Sequence, residues 1–166
     1  GYDKVIMINS FSKTFAMTGW RIGYLLSPDP DAMVQLTKMQ YYVTACSNDA
    51  MQYAVLEALE KASDYPAQMC AEFKIRRDLI CERLNAMPRV SCNIPTGAFY
   101  VFPKFDIPGY TSEQLAMKML EGGVLCSPGT AFGAAGEGHL RFAYTIGPED
   151  ISRGMDRVEE VLSKLI

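Results

Sequence analysis

Lys13 stands among groups that suit anion chemistry: Ser10 and Ser12 precede it, and Thr18 and Arg21 follow within eight residues. An amine attacks a carbonyl only in its neutral form, and the positive charge of a neighbour such as Arg21 favours that form. Short hydroxyl donors and a two-pronged guanidinium are what a phosphate needs. The set therefore suits a lysine that forms a Schiff base with a phosphate-bearing aldehyde. Spacing alone slightly favours a plainer alternative, a solvated lysine on a surface loop. A second candidate is Arg141, flanked by apolar residues in Gly138-His139-Leu140-Arg141-Phe142-Ala143-Tyr144. An arginine in such a strand needs an anionic partner, which is either a ligand or an internal carboxylate.

The elements that must position these groups can be read from punctuation and periodicity. Val5-Ile6-Met7-Ile8 reads as a buried strand of a parallel sheet, followed by the Ser/Lys/Thr/Gly loop. Arg21 to Leu26 reads as a second strand, stopped by Ser27-Pro28-Asp29-Pro30. Helices are expected from Asp31 toward Tyr42, and after the cap Asn48 with Met51, Val55, Ala58 and Leu59 on one face. A long helix is expected from Pro66 to near Ala86, with an apolar stripe of Met69, Phe73, Ile80 and Leu84. Beyond Pro88 the pattern turns to short strands at 90–94, 99–102, 124–126 and 139–144. A helix from Thr111-Ser112 to Glu121 lies among them, stopped by Gly122-Gly123. Gly147-Pro148 opens a last amphipathic helix with Ile151, Met155, Val158 and Leu162 inward.

Composition bounds what such a chain does. Its 166 residues suffice for a real core, and a net charge of −3 argues against a broad basic surface, hence against a nucleic-acid partner. Arg76-Arg77, the only adjacent basic pair, reads as a solvated helix face. No apolar run is long enough for a membrane span. The five cysteines (46, 70, 81, 92 and 126) form no CxxC pair, and His139 is the only histidine, so no metal site is expected. They read as reduced, mostly buried thiols of a cytoplasmic protein. His139 reads as structural rather than as a general base, and Trp20 as core packing beside Arg21.

Ser10-Phe11-Ser12-Lys13 followed by Met17-Thr18-Gly19-Trp20-Arg21-Ile22-Gly23-Tyr24 resembles the lysine signature of class I/II, fold type I aminotransferases, which use pyridoxal 5'-phosphate (PLP). Pro95-Thr96-Gly97-Ala98-Phe99-Tyr100-Val101-Phe102 and Val124-Leu125-Cys126-Ser127-Pro128-Gly129-Thr130-Ala131-Phe132-Gly133 resemble further motifs of the family, and so does the strand of Arg141. The resemblance implies an α/β fold: residues 1–64 as a C-terminal remnant of the large PLP-binding domain, 65–88 as a bridging helix, and 89–166 as a small α+β domain. It implies that Lys13 is the Schiff-base lysine, that Ser10 and Arg21 hold the cofactor phosphate with Ser12 less firmly assigned, and that Arg141 grips the substrate α-carboxylate. It further implies an amino-group exchange between an L-amino acid and a 2-oxo acid, in a protein that is a homodimer at full length. A fold type I C–S lyase or acyl transferase, or a non-catalytic folding or assembly fragment, is the alternative.

Rival patterns fit less well. Ser10-x-x-Lys13 matches the serine acyl-enzyme motif, but the companion Ser-Asp-Asn and Lys-Thr-Gly elements do not occur. The glycines at 133–138 lack the lysine and spacing of a phosphate-binding loop. The family's aspartate for the pyridine nitrogen, its Asn-Pro-rich motif, its ring-stacking aromatic and its tyrosine do not occur in residues 1–166. By itself this chain is therefore expected to show little or no transaminase activity. An exposed sheet edge at Val5–Ile8 is expected to favour self-association.

Overall fold

The computed structural model describes residues 3–166. Two compact units make up the chain, Gly1–Met69 and Cys70–Ile166. In the first unit, strand β1 (Met7–Ser10) pairs antiparallel with β2 (Gly23–Leu26), Met7 opposite Leu26 and Ser10 opposite Gly23. Gly23 is required there, because a Cβ would lie 2.5 Å from the carbonyl oxygen of Asn9. Between the strands run a one-turn helix, α1 (Phe11–Thr14), and a 3-10 turn at Thr18–Trp20. Phe11 closes this excursion: its amide donates to the Ile22 carbonyl at 3.3 Å. Its ring is buried with Ile22 and Val55, and Phe15, Met17 and Met51 pack around them.

Two helices complete the unit, the first capped by Asp29 just ahead of the expected start at Asp31, the second by the expected Asn48. Asp29 accepts from the amides of Asp31 (2.9 Å) and Ala32 (3.0 Å), and Pro30 opens α2 (Pro30–Thr44). Asn48 accepts from the Met51 amide at 3.3 Å and starts α3 (Asp49–Lys61). Both satisfy amides that a helix start would otherwise leave unpaired.

Val5 to Ile8 do not form a buried strand of a parallel sheet. The pairing is antiparallel, begins two residues later than the apolar run, and is not buried: Ile8 is 76% exposed and Leu26 53%. Four apolar residues in a row signal a strand covered on both faces. Among the described residues of this unit, a two-stranded ribbon supplies no second layer to cover them. Trp20 is also no core residue, being 41% exposed.

The second unit takes in helix α4 (Tyr65–Ala86) from Cys70 onward, and Ile80, Cys81 and Leu84 carry it into the core. A two-stranded pair, β3 (Val90–Ser91) with β5 (Lys104–Phe105), lies beside a three-stranded antiparallel sheet. That sheet runs β4 (Tyr100–Val101), β7 (Leu140–Ala143), β6 (Ser127–Pro128), with β7 central. Helix α5 (Ser112–Glu121) begins with a reciprocal cap. Thr111 accepts the Gln114 amide at 3.3 Å, and the Gln114 side chain accepts the Thr111 amide at 2.9 Å. Helix α6 (Pro148–Leu162) buries Ile151, Met155, Val158 and Leu162 as its period requires. Together these elements enclose one apolar core with Val101, Leu115, Met119, Leu140, Phe142 and Tyr144.

Three local expectations shift here. The strand expected at 124–126 pairs at Ser127–Pro128 instead. Gly123 turns the chain at φ +79°, and the Val124 amide stays with the helix, donating to Met119 at 2.8 Å. Strand β5 leaves no signal in the sequence, because Pro103 before it and Pro108-Gly109 after it read as loop. Arg76 and Arg77 are half-buried rather than solvated. They donate to the carbonyls of Thr145 (3.2 Å) and Pro95 (3.3 Å). Among the described residues no helix is long and apolar enough to cross a membrane.

Candidate active site

The lysine turn is built by hydroxyls. Ser10 caps α1: its Oγ accepts the Ser12 amide at 3.1 Å and donates to the Ser12 Oγ at 3.0 Å. The Thr18 hydroxyl reaches back to the Ser12 carbonyl at 3.3 Å, and Arg21 Nη1 donates to the Thr18 carbonyl at 3.0 Å. Ser10, Ser12, Thr18 and Arg21 thus form one hydrogen-bonded chain around the single helical turn that carries Lys13. Lys13 is exposed, as are Ser10 and Arg21, while Ser12 is half-buried.

Two residues of this loop hold unusual backbones. Ala16 has φ 55°, and Arg21 lies in the left-handed region at φ 54°, ψ 51°. For non-glycine residues such conformations cost about 1–3 kcal/mol each and cluster at ligand clamps. At Arg21 the twist sends the chain from the 3-10 turn into β2 and leaves the guanidinium against the Thr18 carbonyl.

Arg141 belongs to the second unit, where sheet register decides its surroundings. On β7 the side chains of Leu140 and Phe142 face the core, so Arg141 and Ala143 take the opposite face. Ser127 is the cross-strand partner of Arg141, and Tyr100 is that of Ala143, a diagonal neighbour. Accordingly Arg141 Nη2 donates to the Ser127 Oγ at 3.3 Å, and its guanidinium carbon lies 4.4 Å from the Tyr100 ring centroid. Phe132, in the 3-10 turn Gly129–Phe132 that follows β6, adds a second ring at 4.3 Å. No carboxylate of the described residues pairs with Arg141.

Tyr100 and Phe132 lie within the motifs Gly-Ala-Phe-Tyr and Pro-Gly-Thr-Ala-Phe-Gly, yet nothing in the sequence marks either as a neighbour of Arg141. Their signal was present but carried no role without the register. His139 is held locally. It stacks on Phe102 at 5.0 Å, with Nδ1 3.0 Å from the Glu137 carbonyl oxygen. The loop bearing Phe132 closes on itself at two glycines. A Cβ on Gly129 would lie 2.1 Å from the Gly136 carbonyl oxygen and 2.8 Å from that of His139. Glu137 fastens the loop to α5 by accepting the Ser112 amide at 2.8 Å.

Among the described residues no group of three or more metal-ligating side chains is placed to hold an ion. All five cysteines are free, but only Cys81 and Cys92 are buried; Cys126 is half-buried, and Cys46 and Cys70 are exposed. Loss of hydration raises the Cys92 thiol to about 12, helped by Cys81 beside it, and raises Cys126 to about 11. At pH 8 a thiol reagent is expected to modify Cys46 and Cys70 rapidly and the other three only on unfolding. Because both folded values lie above the ordinary 9.0, the stabilisation is complete below pH 9 and fades toward pH 11–12. A urea midpoint that rises over this range contradicts the assignment.

The family model for "Aminotransferase class I and II" matches residues 1–158. A probable aspartate aminotransferase of Methanocaldococcus jannaschii is 42% identical over 165 residues, which is 96% of this chain and 43% of that protein. An aromatic-amino-acid aminotransferase of Thermococcus litoralis is 39% identical, over 98% of this chain and 42% of its own length. The crystal structure of an aromatic aminotransferase from Pyrococcus horikoshii superposes with a TM-score of 0.90 at 38% identity. It is matched over 99% of this chain and 44% of that one. The chain thus spans about two-fifths of the length of the curated relatives it matches. Its fold, its motifs and a match that runs almost end to end agree, and the chain belongs to the class I and II aminotransferase family, of which it represents the C-terminal portion.

Proposed function

We propose that the complete protein is a PLP-dependent aminotransferase that moves an amino group between an L-amino acid and a 2-oxo acid. Within it, residues 1–64 belong to the large domain, 65–88 form the bridging helix and 89–166 make the small domain. The observation that carries the reading is the hydrogen-bonded chain Ser10–Ser12–Thr18–Arg21 around Lys13. Its donors fit the cofactor's two ends: hydroxyls and a guanidinium for a phosphate, and an amine for an aldehyde. Ser10, Ser12 and Arg21 would hold the phosphate and Lys13 the aldehyde carbon. When bound, PLP supplies an electron sink for the carbanion formed at the substrate α-carbon.

The chain's own residues do the rest. Arg141 binds and orients the substrate carboxylate, and the absence of an acidic partner among the described residues leaves its donors for that task. The Lys13 amine would take up the proton that leaves the substrate α-carbon. Homodimer assembly and a cytoplasmic location, in keeping with five free thiols, complete the proposal. Substrates proposed from the relatives' names are aspartate and the aromatic amino acids, with a 2-oxo acid as acceptor.

The test is turnover by the complete protein with L-aspartate or L-phenylalanine and 2-oxoglutarate, read as L-glutamate formed. Arg141→Lys keeps the charge but not the paired donors, and it is expected to lower kcat/KM about ten- to a hundred-fold, mostly through KM. An unchanged KM removes Arg141 from the carboxylate site. Full turnover by the 166-residue chain alone contradicts the division of labour proposed here.

A further inference from the structure

An arginine that binds a free carboxylate must be held still without being neutralised. An acidic neighbour would hold it, yet would occupy the paired donors that the ligand needs. Arg141 has no such neighbour among the described residues. It has instead two rings, Tyr100 at 4.4 Å and Phe132 at 4.3 Å, and one neutral acceptor, the Ser127 Oγ at 3.3 Å. A guanidinium carries five N–H groups, and ring faces engage its plane rather than its edge. The Ser127 contact takes one donor, so the others stay available.

These rings are themselves fixed. Tyr100 packs on Phe99 at 4.6 Å, and Phe99 stacks with Phe73 of α4 at 5.9 Å. Phe132 meets Phe102 edge-on at 6.0 Å, and Phe102 stacks on His139. The glycine contact of Gly129 with Gly136 fixes the turn from which Phe132 projects.

We infer that Tyr100 and Phe132 are positioning residues that hold the Arg141 guanidinium by its faces and present its remaining donors to a carboxylate. This rests on the carboxylate reading proposed above. Lysine at 141 would lose both the plane and the fork, and an aliphatic residue at 100 or 132 would leave the fork unsteadied.

Side-chain NMR of arginine-labelled 166-residue chain tests it, with pyruvate as the probe. The Arg141 guanidinium protons are expected upfield of those of exposed Arg153, because ring faces shield them. Pyruvate is expected to move the Arg141 signals. Tyr100→Leu and Phe132→Leu are each expected to lose part of the upfield displacement and to weaken the pyruvate response about three- to ten-fold. Tyr100→Phe and Phe132→Tyr, which keep the rings, are expected to restore both. Undiminished pyruvate affinity in folded leucine variants overturns the role of the rings and leaves the carboxylate reading standing. A wild-type Arg141 that ignores pyruvate while remaining shielded overturns the carboxylate reading itself. Should the leucine variants fail to fold, the wild-type spectrum decides, since an Arg141 signal without upfield displacement overturns the inference.

Discussion

Lys13→Ala in the complete protein is expected to abolish the visible absorbance of lysine-bound cofactor and to lower transaminase turnover by about 10⁴-fold, the upper end of what losing a proton-transfer group costs. The loss should be chemical rather than structural. Lys13 is exposed on the one-turn helix α1, and alanine is a good helix former. A surface truncation of that kind shifts stability by no more than about 0.5 kcal/mol. Lys13→Arg separates two explanations, since it keeps positive charge beside the serines but offers no amine able to condense with an aldehyde. Both variants should be inactive, and both should melt like the parent. An alanine variant within about ten-fold of parental turnover would remove the lysine from the chemistry.

Gly129→Ala is expected to be the most damaging single methyl group in the second unit. The new Cβ would sit 2.1 Å from the carbonyl oxygen of Gly136, with the His139 carbonyl oxygen at 2.8 Å and its own Cβ at 2.9 Å. Two of these three neighbours are backbone and cannot rotate away. Relief requires the backbone at Gly136 or at His139 to move, which strains the 3.0 Å bond from the His139 amide to Gly136 or the 2.8 Å bond from the Gly129 amide to His139, and either shift disturbs the turn bearing Phe132. The expected loss is about 3 kcal/mol or more, lowering the unfolding midpoint by roughly 10 °C or more for a unit of this size. Gly154→Ala is the matched control. It lies inside α6 with nothing within 4 Å of its Cβ, so alanine there should stabilise by about 0.5–1 kcal/mol. Thermal unfolding followed by circular dichroism reads both, and equal midpoints for the two variants would contradict the steric argument. Arg141 should also lose pyruvate affinity in the Gly129 variant below its midpoint, because Phe132 moves with the turn.

The helices were legible because their signals are local. Asn48 and Thr111 announce starts that need only the next three residues, and Gly122-Gly123 announces a stop the same way. The apolar period of α6 is equally self-contained. Strands were legible in part, since their pairing and burial depend on distant chain. The run Val5–Ile8 carries the pattern of a strand covered on both faces, and no described residue of its unit provides that cover. Two-residue strands such as β5 are too short to leave any periodicity. At the site, the gathering of Ser10, Ser12, Thr18 and Arg21 around Lys13 follows from their closeness in sequence, whereas residue spacing by itself left the role of the lysine open. The rings on Arg141 could not be read from sequence, because Tyr100, Phe132 and Arg141 meet only through the register of three strands.

Strand β7 carries two assignments in four residues. Leu140 and Phe142 belong to the core, while Arg141 lies on the other face among Ser127, Tyr100 and Phe132. The two faces share one alternation, so they cannot be altered independently by changing length. One residue inserted ahead of Leu140, with pairing otherwise kept, would drive a guanidinium into the apolar core and turn Phe142 outward. Folding and the proposed carboxylate binding would fail in the same event. Strand β7 can therefore tolerate replacement of side chains one at a time, but insertion or deletion only in pairs.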